Sequence, residues 1–338
     1  MKDKQLNIDF KDMRQTFFEI LLREKFGEDD ALHCAEIFTS SSLDGIYSHG
    51  VNRFARFVEY IRKGYVRVDE KPSLIHSLGN IEQWNGNLGP GPLNAMHAAD
   101  RCMKLASQSS IGMVTLANTN HWMRGGTYGI HCAEKGYAFI GWTNTIANLP
   151  PWGSTQNKLG NNPMVFAVPF AGDVILVDMA ISQYSFGKLE DMHTKGAKLP
   201  QAGGYNTSGE LTNDPGEILE SRRALPVGFW KGSALSLLLD ILAAVLSGGL
   251  STAEISQDGR EEYSVSQVYI CIDLKKLPNF PAIEHTIGEI IRDYLSAAPT
   301  SPESVIRYPG QNRKRIREAN MASGIPVDPK VWAKICTL

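Results

Sequence analysis

Cysteine is scarce in this chain, and its five copies (Cys34, Cys102, Cys132, Cys271 and Cys336) are odd in number, far apart and never in a Cys-x-x-Cys pair. That excludes a disulfide framework or a zinc knuckle and points to a reducing compartment. Long apolar runs are missing as well. The longest, Ala234 to Leu246, is too short to cross a bilayer and carries Asp240, so it reads as a buried helix between Gly232 and Gly248-Gly249. The start, MKDKQLNIDFKDMRQ, is charged throughout and has no apolar signal core. A cytoplasmic protein without a membrane partner is expected. Charge of one sign is also lacking: 34 basic and 36 acidic residues leave a formal charge of -2. The basic runs Lys275-Lys276 and Arg313 to Arg317 are too short to track a phosphate backbone, so no nucleic-acid partner is expected.

Several standard site motifs are absent. No G-x-G-x-x-G follows a strand-like run, and the nearest stretch, Gly86 to Pro92, has other spacing and prolines where a helix should open. There is no G-x-x-x-x-G-K-[ST] loop and no G-x-S-x-G elbow. There is no H-E-x-x-H, and the eight histidines form no pair at metal-ligand spacing, so no metal site is expected. Any chemistry must come from other constellations.

What is present is an ordinary globular composition, 43% hydrophobic and 21% charged over 338 residues, enough for two or three compact units. Phe10, Met13, Phe17, Ile20 and Leu21 recur at helical spacing before Gly27, and a second helix from about Asp30 carries Cys34, Ala35, Ile37 and Phe38. A third ends at Gly64, and Pro72 with Gly79, Gly86, Gly89 and Gly91 marks a boundary. Leu93 to Ser109 reads as a helix. Met113 to Leu116, Phe139 to Thr143, Val165 to Val168, Val174 to Asp178 and Ser266 to Asp273 read as strands. Ile283, Ile287, Ile290, Ile291, Tyr294 and Leu295 form one helical stripe, followed by a helix near Arg313 to Ala322 and a terminal VWAKI segment. The expected organisation is a discontinuous helical unit, 1–75 with 280–338, around a mixed α/β unit, 76–279, with a small insertion around 181–225.

The strongest chemical constellation is Ser48-His49-Gly50-Val51-Asn52-Arg53 at the opening of a helix. His49 and Arg53 are four apart, so one helical face can carry both. An imidazole gives or takes a proton near neutral pH, and a guanidinium clasps a carboxylate through two hydrogen bonds. Together they can hold a 2-oxo or 2-hydroxy acid and protonate its oxygen. His121 and Arg124 lie in NTNHWMRGG, where Gly125-Gly126 lets backbone approach a ligand. Trp142 to Gly153 and Gly160 to Pro163 form rigid irregular loops. Asp178, at the end of an apolar strand, can orient an imidazole, cap a helix or contact a cofactor. Trp230-Lys231-Gly232-Ser233 and Pro309-Gly310-Gln311-Asn312 each open a helix, a geometry suited to phosphate.

Taken together, these segments resemble the malate/L-lactate dehydrogenase family that lacks the Rossmann fold. Its GxxSHG(V/I)xR signature stands here as Gly45 to Arg53, and the likeness runs along nearly the whole chain through IEQWN at Ile81, NHWMRGG at Asn120, PPWG at Pro150 and FWKGS at Phe229. The resemblance implies an NAD(P)-dependent oxidoreductase that reduces a small 2-oxo acid with NADH. It implies a homodimer with the active site near the subunit interface, and a largely antiparallel, non-Rossmann sheet plus a helical domain built from both chain ends. It places the proton donor at His49, the carboxylate clasp at Arg53, a further substrate contact at His121 and a further site carboxylate at Asp178. The cofactor would lie along Val174, Ile175, Leu176, Val177, Asp178, Met179 and Ala180, with Trp230, Lys231, Gly310, Gln311 and Asn312. The chain departs from the family pattern at Gly160-Asn161-Asn162-Pro163, at Ile181 to Tyr184 and at Gln311-Asn312, where relatives carry a glutamate.

Overall fold

The computed structural model describes residues 6–257 and 261–338. Near the N-terminus, α1 (Phe10–Arg23), α2 (Glu28–Leu43) and α3 (Val51–Arg62) pack their apolar faces together. Phe17 stacks on Phe54 with ring centroids 3.9 Å apart, and Phe38 meets Phe54 edge-on at 5.2 Å. All three rings are fully buried, each contributing roughly 1.5–3 kcal/mol. The other end of the chain completes this core. β1 (Leu6–Ile8) pairs antiparallel with β12 (Ile325–Val327), and α12 (Pro329–Cys336) adds Ile335 beside Ile325 and Val327. The helical unit is therefore assembled from both chain ends, as expected.

The middle of the chain forms a seven-stranded sheet. β2 (Ser73–Leu78) and β3 (Ile81–Asn85) make an edge hairpin missed from the sequence, where Ser, His, Gln and Glu interrupt the strand pattern. β4 (Ile111–Thr119), β5 (Tyr137–Thr143), β6 (Met164–Phe170), β7 (Asp173–Met179) and β11 (Val265–Asp273) supply the rest. The order is β2-β3-β4-β11-β5-β6-β7, and only the β3–β4 pair is parallel. The sheet is thus largely antiparallel, which agrees with the missing glycine fingerprint. β11 sits at its centre and is covered on both faces. Tyr269 and Cys271 pack with α4 (Gly91–Ser109) and α5 (Gly126–Glu134), whereas Val268 and Ile270 join the core under α8 (Trp230–Ser247).

One expectation fails. The apolar run in α8 is not a buried helix: only Gly232, Ser236, Leu239, Ala243 and Ser247 are covered, at the three- and four-residue spacing of one face. Leu235, Leu237, Leu238, Ile241, Leu242 and Val245 are exposed. By length and composition alone α8 is apolar enough to cross a membrane, yet its inner face is held to the sheet, with the Trp142 indole donating to the Leu239 carbonyl at 3.1 Å. The stripe read in α10 (Phe280–Leu295) likewise buries no residue, and this helix lies beside β6. Residues 181–225 hold α6 (Phe186–Thr194), α7 (Pro215–Ser221) and a three-stranded sheet of β8 (Gly204–Tyr205), β9 (Leu211–Thr212) and β10 (Arg223–Ala224). The short α9 (Thr252–Ile255) precedes β11, and α11 (Arg313–Ser323) packs on α2.

Candidate active site

A cavity of about 2400 Å³ opens between the helical unit, the β4–α5 loop, the outer end of the sheet and α6. His49, Arg53, His121 and Asp178 all line it. His49 and Arg53 do not share one helix, contrary to the sequence reading. His49 ends a short 3-10 turn (Tyr47–His49), and α3 begins only after Gly50. Gly50 passes so close to α2 that an added Cβ would lie 2.2 Å from the Ser42 hydroxyl, which accepts the Val51 N–H at 2.8 Å. The turn still delivers both side chains to the cavity.

His121 lies parallel to His49, ring centroids 5.8 Å apart at 21°. The two rings are wired differently. His121 Nδ1 accepts the Met123 N–H at 2.9 Å, so in the neutral ring the proton sits on Nε2, facing Glu262 Oε1 at 4.0 Å. His49 Nδ1 is engaged with the Ser48 hydroxyl at 2.9 Å, which leaves Nε2 for a ligand. Burial, then the charges of Arg53 and Arg124, pull the His49 pKa down to about 4. Burial, Arg53, His49 and Arg56 hold His121 well below its ordinary value. Both rings are therefore neutral in the free protein at pH 7. An anion on Arg53 would remove one of the charges that keep protons off His49.

The opposite wall is the free edge of the sheet. β7 is the last strand, and the Leu176 N–H donates across to the Pro309 carbonyl at 3.1 Å, which brings Val174 to Ala180 and Gly310 to Asn312 side by side. Gly310 has φ +90°, and a Cβ there would come within 2.9 Å of the Val174 carbonyl, so this turn requires glycine. Leu176, Asp178, Ala180, Gly310, Gln311 and Asn312 face the cavity, whereas Val174, Ile175, Val177 and Met179 do not line it. Gln311 turns back on its own loop, its Oε1 accepting the Tyr308 N–H at 3.2 Å. Asp178 Oδ2 accepts the Gly126 N–H at 2.8 Å, placing a carboxylate at the start of α5. Of the three roles open to it, the contact made is the helix cap. Burial pushes its carboxyl up while Arg124 and that bond pull it down, and its open side toward the cavity limits the rise.

Trp230 and Lys231 stand apart from this cavity, at the start of α8, with Trp230 largely exposed. Phe229 packs on Trp152 with centroids 5.2 Å apart, and the Ser233 hydroxyl accepts the Trp152 N–H at 3.0 Å, so the α8 start is anchored to the Pro150–Gly153 loop.

Several cavity groups were not singled out in the sequence. Asp44, buried at the end of α2, accepts from Arg124 at 2.5 Å and from Arg317 at 2.8 Å, with Arg313 4.0 Å away. This cluster joins α2, the β4–α5 loop and α11, residues 80 to 273 apart in sequence. The Nε atoms of Arg124 and Arg313 are buried without a partner among the described residues. These Nε donors, left over beside the ion pairs of Arg124 with Asp44 and of Arg313 with Asp173, stand in a cavity of this size next to a backbone edge and fit the diphosphate of a dinucleotide. Glu262 and Asn148 also face the cavity. Glu262 carried no signal beyond a charged run at 260–262, and only folding sets it against His121.

The malate/L-lactate dehydrogenase family pattern matches residues 8–336. The chain belongs to that family. It is an oxidoreductase of the pyridine-nucleotide-dependent type that acts on hydroxy or oxo acids. It is 43% identical to a 2,3-diketo-L-gulonate reductase of Citrobacter koseri over 334 residues, 98% of this chain and 100% of the relative. A 2,3-diketo-L-gulonate reductase of Salmonella typhimurium is 42% identical over the same spans. Among solved structures, malate dehydrogenase of Pyrococcus horikoshii superposes with a TM-score of 0.89 at 26% identity, covering 98% of this chain and 93% of that one. Malate dehydrogenase of Entamoeba histolytica, at 20% identity and TM-score 0.92 over 98% and 96%, shares the fold.

Proposed function

We propose that the protein reduces the C2 carbonyl of 2,3-diketo-L-gulonate with NADH, giving 3-keto-L-gulonate. The observation that carries this reading is the meeting of His49 Nε2, His121 Nε2 and the Arg53 guanidinium in one cavity that also holds the β7 edge. Full-length relatives named for that reduction support the substrate.

Arg53 clasps the C1 carboxylate and so fixes which face of C2 is presented. With that charge spent, His49 becomes basic enough to carry a proton, its Nδ1–H held by Ser48. His121 stays neutral and donates its Nε2–H to a substrate oxygen. A nicotinamide held along the β7 edge would supply the hydride to C2. As the C=O bond becomes a C–O bond, His49 Nε2 passes its proton to the oxygen and is left neutral, ready to be reprotonated from solvent. Arg124 and Arg313 would hold the diphosphate, and the Val174–Ala180 and Gly310–Asn312 backbones the rest of the cofactor.

We also infer a cytoplasmic homodimer. The exposed leucines and Ile241 of α8, continuous with Phe229 and Trp230, make an apolar face that a second copy would cover, bringing Trp230-Lys231 to the interface. The thiols of Cys132 and Cys271 rest 3.6 Å apart unjoined, which suits a reducing compartment.

Steady-state assays with NADH and with NADPH on 2,3-diketo-L-gulonate, oxaloacetate, pyruvate and a cyclic imino acid test the reading. The expected result is the largest kcat/KM with 2,3-diketo-L-gulonate and NADH. Preference for another acid makes this a sister dehydrogenase, and binding of NADH without turnover on any acid makes it an inactive homologue.

A further inference from the structure

The cavity has a third surface that neither the proton donor nor the carboxylate clasp uses. Glu262 lies on it, its side chain only 12% exposed. Glu262 Oε2 accepts the Ile146 N–H at 3.2 Å, and Oε1 makes no hydrogen bond among the described residues, its nearest cation-forming neighbour being His121 Nε2 at 4.0 Å. Asn148 stands on the same surface. It donates from Nδ2 to Asn161 Oδ1 at 3.0 Å, and that oxygen also takes the Thr145 hydroxyl at 3.1 Å. Because Asn161 Oδ1 is the shared acceptor, Asn148 must turn its own Oδ1 the other way, where it is buried without a partner among the described residues. Beyond the histidines, then, this surface offers acceptors that lack donors.

Two guanidiniums near the histidines are already paired. Arg56 is held by Glu261 at 3.2 Å, and Arg124 by Asp44. These are the two other guanidiniums whose fields reach the histidines. Of Arg53, Arg56 and Arg124, Arg53 is the one left for the substrate, and it shares its surroundings with Glu262 and Glu190.

We infer that Glu262 and Asn148 select the substrate's distal part, accepting hydrogen bonds from a hydroxylated, uncharged tail and excluding a second carboxylate. The inference rests on the reading that Arg53 clasps the first carboxylate. Hydroxyl donors satisfy the free oxygen of Glu262 and the Asn148 Oδ1, which is otherwise buried and unpaired. A dicarboxylate brings its second charge against the largely buried Glu262 with no uncommitted guanidinium among Arg53, Arg56 and Arg124, and that repulsion is what discriminates. The Asn161 departure from the family pattern belongs to the same device, since Asn161 aims the Asn148 amide.

The test compares kcat/KM with NADH for 2,3-diketo-L-gulonate, oxaloacetate and pyruvate in the wild type, Glu262→Gln and Asn148→Asp. Pyruvate has neither tail hydroxyls nor a second charge and reports general loss of catalysis. The wild type should favour the hydroxylated acid over oxaloacetate by about 100-fold. Glu262→Gln, which keeps the acceptor for Ile146 and loses the charge, should raise the oxaloacetate-to-diketogulonate ratio about tenfold or more. Asn148→Asp should lower oxaloacetate relative to pyruvate by about tenfold, and it carries the test if Glu262→Gln does not fold. Ratios that stay within about twofold of wild type in the folded variants overturn the inference while leaving the reductase reading intact. So does a wild type that prefers oxaloacetate or a cyclic imine. Absence of turnover with every acid removes the underlying reading, and this inference with it.

Discussion

Along one wall of the cavity, His49, Arg53 and His121 act as side chains, each held from behind: Ser48 on one ring, the Met123 N–H on the other, and α3 locked to α2 through the Ser42–Val51 bond. Along the other wall, β7 and the 308–312 turn offer mainly backbone, tied together by the Leu176–Pro309 bond and one obligatory glycine. The first wall tolerates little change, because proton transfer and carboxylate binding need particular atoms within hydrogen-bond reach. The second can change side chains as long as the main chain keeps its path. Gln311 illustrates this: its side chain is spent inside its own turn, accepting from the Tyr308 N–H.

The comparison breaks first at His49. His49→Ala should lower turnover by about 10²–10⁴-fold while the circular dichroism spectrum stays native. Near-native turnover would remove the side-chain wall's chemical role. Arg53→Ala comes next. Loss of the charge that holds the first carboxylate should cost about 2–5 kcal/mol in kcat/KM, appearing mainly as a raised KM. A fall in kcat with KM unchanged would assign Arg53 to proton transfer instead.

A smaller effect sharpens the electrostatics. His49 has its pKa lowered to about 4 in the free protein, against an ordinary 6.5. Between those values the unfolded chain binds more protons, so the His49 contribution to stability is complete above pH 6.5 and is lost as pH falls toward 4. A carboxylate ligand on Arg53 should raise this pKa. Calorimetry in buffers of different ionisation enthalpy should therefore show proton uptake on binding an unreactive oxo-acid analogue with NADH. Proton release would reverse the assignment. In the same direction, the alkaline limb of kcat for reduction should lie at higher pH than that of kcat/KM. The smallest effect is expected on the backbone wall, where Gln311→Ala should change the KM for NADH by less than about threefold. A tenfold rise would show that this wall also depends on side chains.

How far the sequence reached follows the same division. Helix spacing in Phe10 to Leu21 and the apolar runs of β4, β5, β6, β7 and β11 were readable because each element buries a continuous local pattern. The β2–β3 hairpin was not, since an edge hairpin keeps polar residues. The α8 run was read as buried because composition reports how apolar a helix is and not how many of its faces are covered. At the site, His49, Arg53 and His121 were legible as reactive types in unusual surroundings. Asp44, Glu262 and Asn148 were not, because isolated polar residues acquire meaning only from partners distant in sequence.

The sequence by itself determined the residue types that can move a proton and hold an acid, the absence of a Rossmann fingerprint, and membership in a family whose pattern covers residues 8–336. Only the tertiary structure decided that Gly50 splits the His49–Arg53 turn, that Asp44 gathers Arg124 and Arg317 from distant segments, and that Trp230 and Lys231 stand outside the cavity. Local spacing encodes which faces a segment can bury. Which groups are buried together and which charges meet depends on how distant segments pack, and burial first, then the charges of Arg53 and Arg124, sets the protonation of His49.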